Sequence, residues 1–364
     1  MSGEGIVRRI IRSAAVVLVV ALSGCTWLGP EIIRSGRPAY NDAILATNDE
    51  QLLQNIVRLR FGDSLGFLTV SSVTANVTFT GTAGVDLPFG RPLAAYAGAL
   101  VPFSSSMSAE QNPTISYAPV SGDRVLRQLA NETPLDLAIL LIKSAHSHKE
   151  AWNAIVRRVN NSRNPDFLDP PLVVVEPRFE GIAALSSTLQ RLGILYWVRL
   201  SGAQTGYAVV LHSYSPMGTG EVAQLLDLLG IAKPVREGDD IVIPVRLSVG
   251  SPDPGAITIE TRSLLDLMRL AAARIELPQD AAAGALRYPE PGPAGKGIRI
   301  LSSDVRPAQA RVAVEYHSRW YYIENDDDAS KQWFMMLQLL ASAQVPDSTP
   351  GLGPMLTLPV SGRR

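Results

Sequence analysis

The sequence predicts an α+β protein. A helical N-terminal part carries a long β-hairpin, and an antiparallel sheet with helices in ferredoxin-like β-α-β-β-α-β order follows, with a looser second copy of that order behind it. Three observations predict this. Apolar residues recur at helical intervals from Asn48 to Arg60 and switch to a period of two from Phe67 to Thr80. Beyond Pro171 they fall into short strand-like and helix-like runs in alternation. The composition, 46% hydrophobic and 18% charged over 364 residues, is globular and long enough for one large domain or two ordinary ones.

The chain opens on Arg8, Arg9 and Arg12, then an apolar run from Ala14 to Leu22, then Ser23, Gly24 and Cys25. That is the layout of an export leader, and the apolar run is too short to be a permanent membrane helix. Leu22-Ser23-Gly24-Cys25 resembles the lipobox of bacterial lipoproteins. The resemblance implies cleavage between Gly24 and Cys25 and acylation of the Cys25 thiol. With Thr26 rather than Asp next, the sorting rule of such lipoproteins implies the outer membrane, with the body facing the periplasm. Cys25 is the only cysteine, so no disulfide forms within one copy and stability must come from burial. Losing the leader leaves the chain two charges more negative than its net −1, which argues against a nucleic-acid partner.

The expected organisation is a signal peptide at 1–24, a lipid-anchored tether at 25–38, the helical part with its hairpin at 39–165 and the mixed α+β part at 166–364. The tether holds Gly29, Pro30, Gly36 and Pro38 and reaches at most roughly 40 Å. Its Trp27, Leu28, Ile32 and Ile33 either lie against lipid or dock on the domain. Asn48 and Gln51 have capping-box spacing and would start a helix burying Leu52, Leu53, Ile56 and Val57. Arg58 and Arg60 beside Asp63 suggest a salt bridge at its end. A strand with Val73, Ala75, Val77 and Phe79 on one side follows, and Thr114–Tyr117 reads as its return. Between them, Gly81 to Asn112 contains only Asp86, Arg91 and Glu110 as charges. A connection of that kind is a mobile surface loop, a long β-arm, a partner-binding loop or a segment of a membrane barrel. Phe89, Tyr96 and Phe103 within it are candidate partner contacts.

Three helices are expected after it: one opening at Ser121–Arg124, one capped by Thr133-Pro134, and one carrying Trp152, Ile155 and Val156. The rear part then reads as strand Leu172–Val175, helix Phe179–Leu192 stopped by Gly193, strands Ile194–Leu200 and Tyr207–His212, helix Glu221–Leu229 ended by Gly230, and strand Ile241–Leu247. The looser copy takes strand Ala256–Glu260, helix Ser263–Ile275, a hairpin of Arg311–Tyr316 and Trp320–Glu324, helix Ala329–Leu340 and strand Met355–Val360.

No nucleophile elbow, zinc-protease helix, phosphate-binding loop or C-x-x-C occurs, and neither a metal nor a cofactor is expected. His146 and His148 fit a solvated loop better than a metal pair. Glu324, Asp326, Asp327 and Asp328 fit the start of a helix better than a calcium loop. Gly218-Thr219-Gly220 fits a turn and cap better than an anion cradle. In the aromatic run, Trp320 and Tyr322 share one strand face and Tyr321 takes the other, so at least one ring packs inward while Trp320 and Tyr322 are candidate partner contacts.

Asn41-Asp42 through Asn55–Arg60, Pro113–Tyr117, and Tyr321–Ile323 through Ser330-Lys331 to Leu356–Val360 together resemble a family of proteobacterial lipoproteins without assigned activity. The expectation is an outer-membrane lipoprotein that binds or scaffolds an envelope protein partner. Its alternatives are an enzyme acting on envelope glycan or peptide, and an oligomeric export component using a β-arm.

Overall fold

The computed structural model describes residues 38, 40–74, 77–85, 103–111, 114–120, 123–145, 147–164, 177–201, 206–212, 216–236, 238–247, 253–288, 297–344 and 356–359. The leader, the tether up to residue 37, Cys25, Phe89, Tyr96, His146 and the expected strand at Leu172–Val175 lie outside them.

The first helix, α1 (40–61), begins well before Asn48, so the Asn48–Gln51 pair is not its cap. Gln51 and Asn55, one turn apart, act instead on the strand that follows. Gln51 donates to Leu68 O at 3.1 Å and accepts from Leu68 N at 2.6 Å, and Asn55 does the same with Gly66 at 2.8 and 2.9 Å. Two amide side chains therefore imitate a neighbouring strand at the start of β1, an edge strand among the described residues. The other face of α1 buries Leu52, Leu53, Ile56 and Val57 as expected.

Next come β1 (Phe67–Thr74), β2 (Val77–Val85), β3 (Phe103–Gln111) and β4 (Thr114–Val120). β1 pairs antiparallel with β4, and β2 with β3, so the chain runs out along two strands and back along two. Within Gly81–Asn112 the described residues, 81–85 and 103–111, are all strand, and β3 was not visible in the sequence.

Three helices follow: α2 (Asp123–Ala130), α3 (Leu135–Ser144) and α4 (His148–Ile155). Thr133 does not cap α3; its hydroxyl donates to Arg262 O at 2.7 Å, and Ser147 caps α4 through Glu150 N. After β5 (Val156–Val159) and β6 (Ser162–Arg163) come α5 (Pro177–Arg191), β7 (Leu195–Leu200), β8 (Gly206–His212), α6 (Pro216–Leu229) and β9 (Asp240–Leu247). Gly193 and Gly230, with φ of 67° and 69°, stop α5 and α6 in the left-handed conformation that glycine adopts without strain. The chain continues with β10 (Ile257–Thr261), α7 (Leu264–Ala273), α8 (Gln279–Ala282), β11 (Leu301–Ser303), β12 (Ala310–Tyr316), β13 (Arg319–Glu324), α9 (Asp328–Gln344) and β14 (Leu356–Pro359).

A six-stranded sheet in the order β6-β5-β10-β9-β8-β7 is antiparallel except between β9 and β10. One face packs Trp197, Val209, Leu211 and Ile257 against α4, α5 and α6, while Tyr196 and Val242 remain exposed. That division is usual for an antiparallel sheet. The described strands do not confirm the ferredoxin-like order. A split unit places its first strand between the third and fourth, whereas β8 and β9 are hydrogen-bonded neighbours. The looser copy also dissolves. β10 joins the large sheet, β12 and β13 form a separate one with β11, and β14 returns to pair with β4.

One apolar core runs from Leu52 in α1 through Trp152 and Trp197 to Leu340 in α9, without a break at the expected 165/166 boundary. Polar contacts stitch the same ends together. Asp49 of α1, almost buried, takes Arg311 of β12 at 2.9 Å and Gln338 of α9.

Candidate functional site

Three surfaces stand out, the first two built by elements far apart in the chain. The first is a polar cleft of about 490 Å³ lined by Phe61, Asp63, Asp280, His317, Arg319 and Tyr321, among others. At one side α1 ends on Gly62, φ 77°, which turns the chain so that Asp63 N bonds Arg58 O at 2.9 Å. Asp63 then faces β12, where Tyr316 donates to its carboxylate at 2.5 Å. The expected ion pair at the end of α1 is replaced by this bond, and Arg60 instead lies over the ring of Tyr288 at 5.3 Å.

At the other side, His317 and Ser318 form the two-residue turn between β12 and β13 with φ of 48° and 61°. Such turns need positive φ at both positions and usually recruit Asn or Gly. Holding two side chains there costs about 1–3 kcal/mol each, and such strain concentrates at functional sites. His317 is braced by stacking on Tyr316 at 4.3 Å and by an edge contact with Phe61 at 5.2 Å. Arg319, largely buried, donates to Asp280 at 3.1 Å and reaches Asp304 at 2.8 Å. Burial first, then the bond to Asp63, pushes the Tyr316 hydroxyl above its ordinary pKa, so it stays a donor at neutral pH. The cleft thus presents two carboxylates, a guanidinium, an imidazole and aromatic edges, a set suited to hydroxyl-rich or peptide ligands.

The second surface is an apolar groove of about 460 Å³ between α3, α4 and α9, lined by Leu141, Ala145, Ala151, Trp333, Met336 and Leu339. Gly297 closes one end with no room to spare: a Cβ there would come within 2.9 Å of Trp333 Cδ1. Gly297→Ala is therefore expected to lower stability by about 1–3 kcal/mol through forced displacement of the indole, read as a fall in the melting temperature.

The third is the β2–β3 ribbon, which contains Phe103 at its far end, paired with Val85. Phe103 is the only one of the three arm contacts that falls on described residues. Trp320 and Tyr322 lie on the outer face of β13 as the alternation predicts, half-buried, while Tyr321 is buried. Arg306 covers Trp320 at 5.1 Å, leaving that ring a partly occupied platform.

The remaining readings resolve locally. His148 is not in a solvated loop: it is the half-buried first residue of α4, and its Nδ1 bonds Ile142 O at 2.7 Å. Asp327 caps α9, accepting from Ser330 N at 3.0 Å. Gly218-Thr219-Gly220 lies inside α6 rather than before it, and Gly218 serves close packing, since a Cβ would sit 2.6 Å from Ile194 Cδ1. Neither the cleft nor the groove has a motif in sequence. Both draw residues from segments more than one hundred positions apart.

No family model, curated protein or solved structure matches this chain.

Proposed function

We propose that this chain is an outer-membrane-anchored lipoprotein, acylated at Cys25 and facing the periplasm, that binds or scaffolds a partner in an envelope assembly. The observation that supports the reading is the four-strand arm: β1 and β4 belong to a three-stranded sheet whose third strand is β14, and β2 and β3 follow on as a two-stranded ribbon. A ribbon of two strands is marginal by itself and gains by pairing or covering something else. Deleting Thr82 to Ala109 tests it. The body keeps its core, so its cooperative melting is expected to persist while cross-linking to the envelope partner in intact cells is lost. Loss of folded protein on that deletion would instead assign the ribbon a structural role.

A second reading, an envelope glycan- or peptide-acting protein, is favoured by one observation: Asp63 and Asp280 meet in one cleft beside Arg319 and the strained His317. Titration with soluble muropeptides is expected to give saturable binding in this reading, weakened about tenfold by Asp280→Asn, which takes a charge from the Arg319 pair. Wild-type protein indifferent to the ligand would remove it.

A further inference from the structure

The ribbon's register sorts its residues into two chemically different sets. β2 and β3 pair from Val77 with Gln111 to Val85 with Phe103, nine residues on each strand. Residues opposite one another share a face and successive residues alternate. One face therefore carries Val77, Phe79, Ala83, Val85, Phe103 and Met107, with Ser105 and Gln111 its polar members. The other carries Thr78, Thr80, Thr82, Ser104, Ser106 and Ser108. The ribbon's single charge, Glu110, lies on that hydroxyl face opposite Thr78, at the end nearest the body. The two other charges of the Gly81–Asn112 stretch, Asp86 and Arg91, come in sequence between β2 and β3 and belong to neither strand.

Each feature has the dimensions and chemistry of a bilayer span. A transmembrane β-strand takes about 9–11 residues. Membrane barrels alternate apolar residues toward lipid with polar residues toward the lumen. An uncharged face suits hydrocarbon, where a charge is expensive. The obstacle is the backbone: among the described residues neither β2 nor β3 has a third strand beside it, and a membrane tolerates no unpaired strand edge. Only closure removes both edges.

We propose that the ribbon is a membrane-spanning hairpin whose partner is a second copy of this chain. β2 of one copy pairs antiparallel with β3 of the next until the ribbons close into a barrel, apolar face to the acyl chains and hydroxyl face to the lumen. Since bacterial barrels begin at about eight strands, closure takes about four copies or more. This rests on the reading of the chain as an anchored envelope protein whose arm makes the contact, and it names that contact.

The test uses the full lipidated protein purified from membranes, with Phe79→Asp and Met107→Asp on one face and Thr80→Asp and Ser106→Asp on the other. Size and shape are read in detergent by light scattering and electron microscopy. Insertion is read as release of carboxyfluorescein from phosphatidylcholine–phosphatidylglycerol vesicles, and thermal melting checks the body of every variant. Wild-type protein is expected to form ring-shaped oligomers and empty the vesicles. The two substitutions on the apolar face cut release by about tenfold or more, while those on the hydroxyl face leave it within about twofold. Monomers in detergent with sealed vesicles, or two faces that tolerate charge alike, would overturn the barrel. If such monomers still fractionate with membranes and capture an envelope partner, the scaffold reading survives; if they are found free of membranes, both fall.

Discussion

Arg262→Ala is expected to be among the most destabilising single substitutions in the chain, removing about 4 kcal/mol or more. Arg262 follows β10 and is fully buried. Its guanidinium donates to Asn153 O and Ala154 O at 3.1 Å, to Val156 O at 2.9 Å and to Asn164 O at 2.5 Å. Asn153 and Ala154 belong to the last turn of α4, whose carbonyls have no partner within the helix, and a cation there also meets the negative end of the helix dipole. The backbone of Arg262 is engaged as well, its N–H donating to Ile155 O at 2.8 Å and its carbonyl accepting from Thr133. Alanine would remove a charged donor from four buried carbonyls at once, leaving Asn153 O and Val156 O to the Asn164 amide alone, and leave a cavity where α4, β5, β10 and the α2–α3 connection converge. Against a total stability of about 5–15 kcal/mol, the melting temperature should fall by on the order of 10 °C. Arg262→Met separates the causes: it restores volume without donors, and a melt close to that of the alanine variant would assign the loss to hydrogen bonds. A melt close to wild type for either variant would show the hub to be dispensable.

Arg262 also shows why part of this fold was hidden in the sequence. Arginine in Thr261-Arg262-Ser263 reads as a surface residue, because burial of a guanidinium depends on carbonyls supplied by residues about one hundred positions away. The helix α1 was legible where Leu52, Leu53, Ile56 and Val57 form a stripe, but its first turns, 40–48, bury almost nothing and leave no period to read. β3 was missed for a related reason. Phe103-Ser104-Ser105-Ser106 has little intrinsic strand preference, and its conformation is fixed by pairing with β2. By contrast, α5, β7, β8, β10, α7, β12, β13 and α9 were all legible, since each carries its own pattern and stop signal.

Sheet order was less accessible than the elements themselves. Nothing in Ile257–Thr261 announces that β10 lies between β5 and β9 rather than opening a second unit, because neighbours are chosen by long-range packing. The cleft is illegible for the same reason: Asp63, Asp280 and His317 become a constellation only when α1, α8 and the β12–β13 turn are brought together. The strand face shared by Trp320 and Tyr322 followed from simple alternation, which is a local property and survives any change of topology.

Cys25→Ser is expected to produce the largest change in location. Serine's hydroxyl does not take the thioether-linked lipid, so the chain should keep its leader, lose its acyl mass and leave the outer-membrane fraction. The magnitude follows from the acyl chains: each buried methylene contributes about 0.8 kcal/mol, one chain binds only marginally, and two or more anchor stably. Removing all of them therefore shifts the partition by orders of magnitude. Among the described residues no helix is long and apolar enough to cross a membrane, so α1 to α9 offer no substitute. The ribbon is the one element proposed to enter lipid, and it needs copies gathered at the correct membrane before its edges can close. Combining Cys25→Ser with deletion of Thr82 to Ala109 removes both attachments, and any membrane association left would have to come from the retained leader. A Cys25→Ser protein with unchanged mass and unchanged fractionation would mean that the thiol is not acylated, and the assignment of this chain to the outer membrane would fail at its first step.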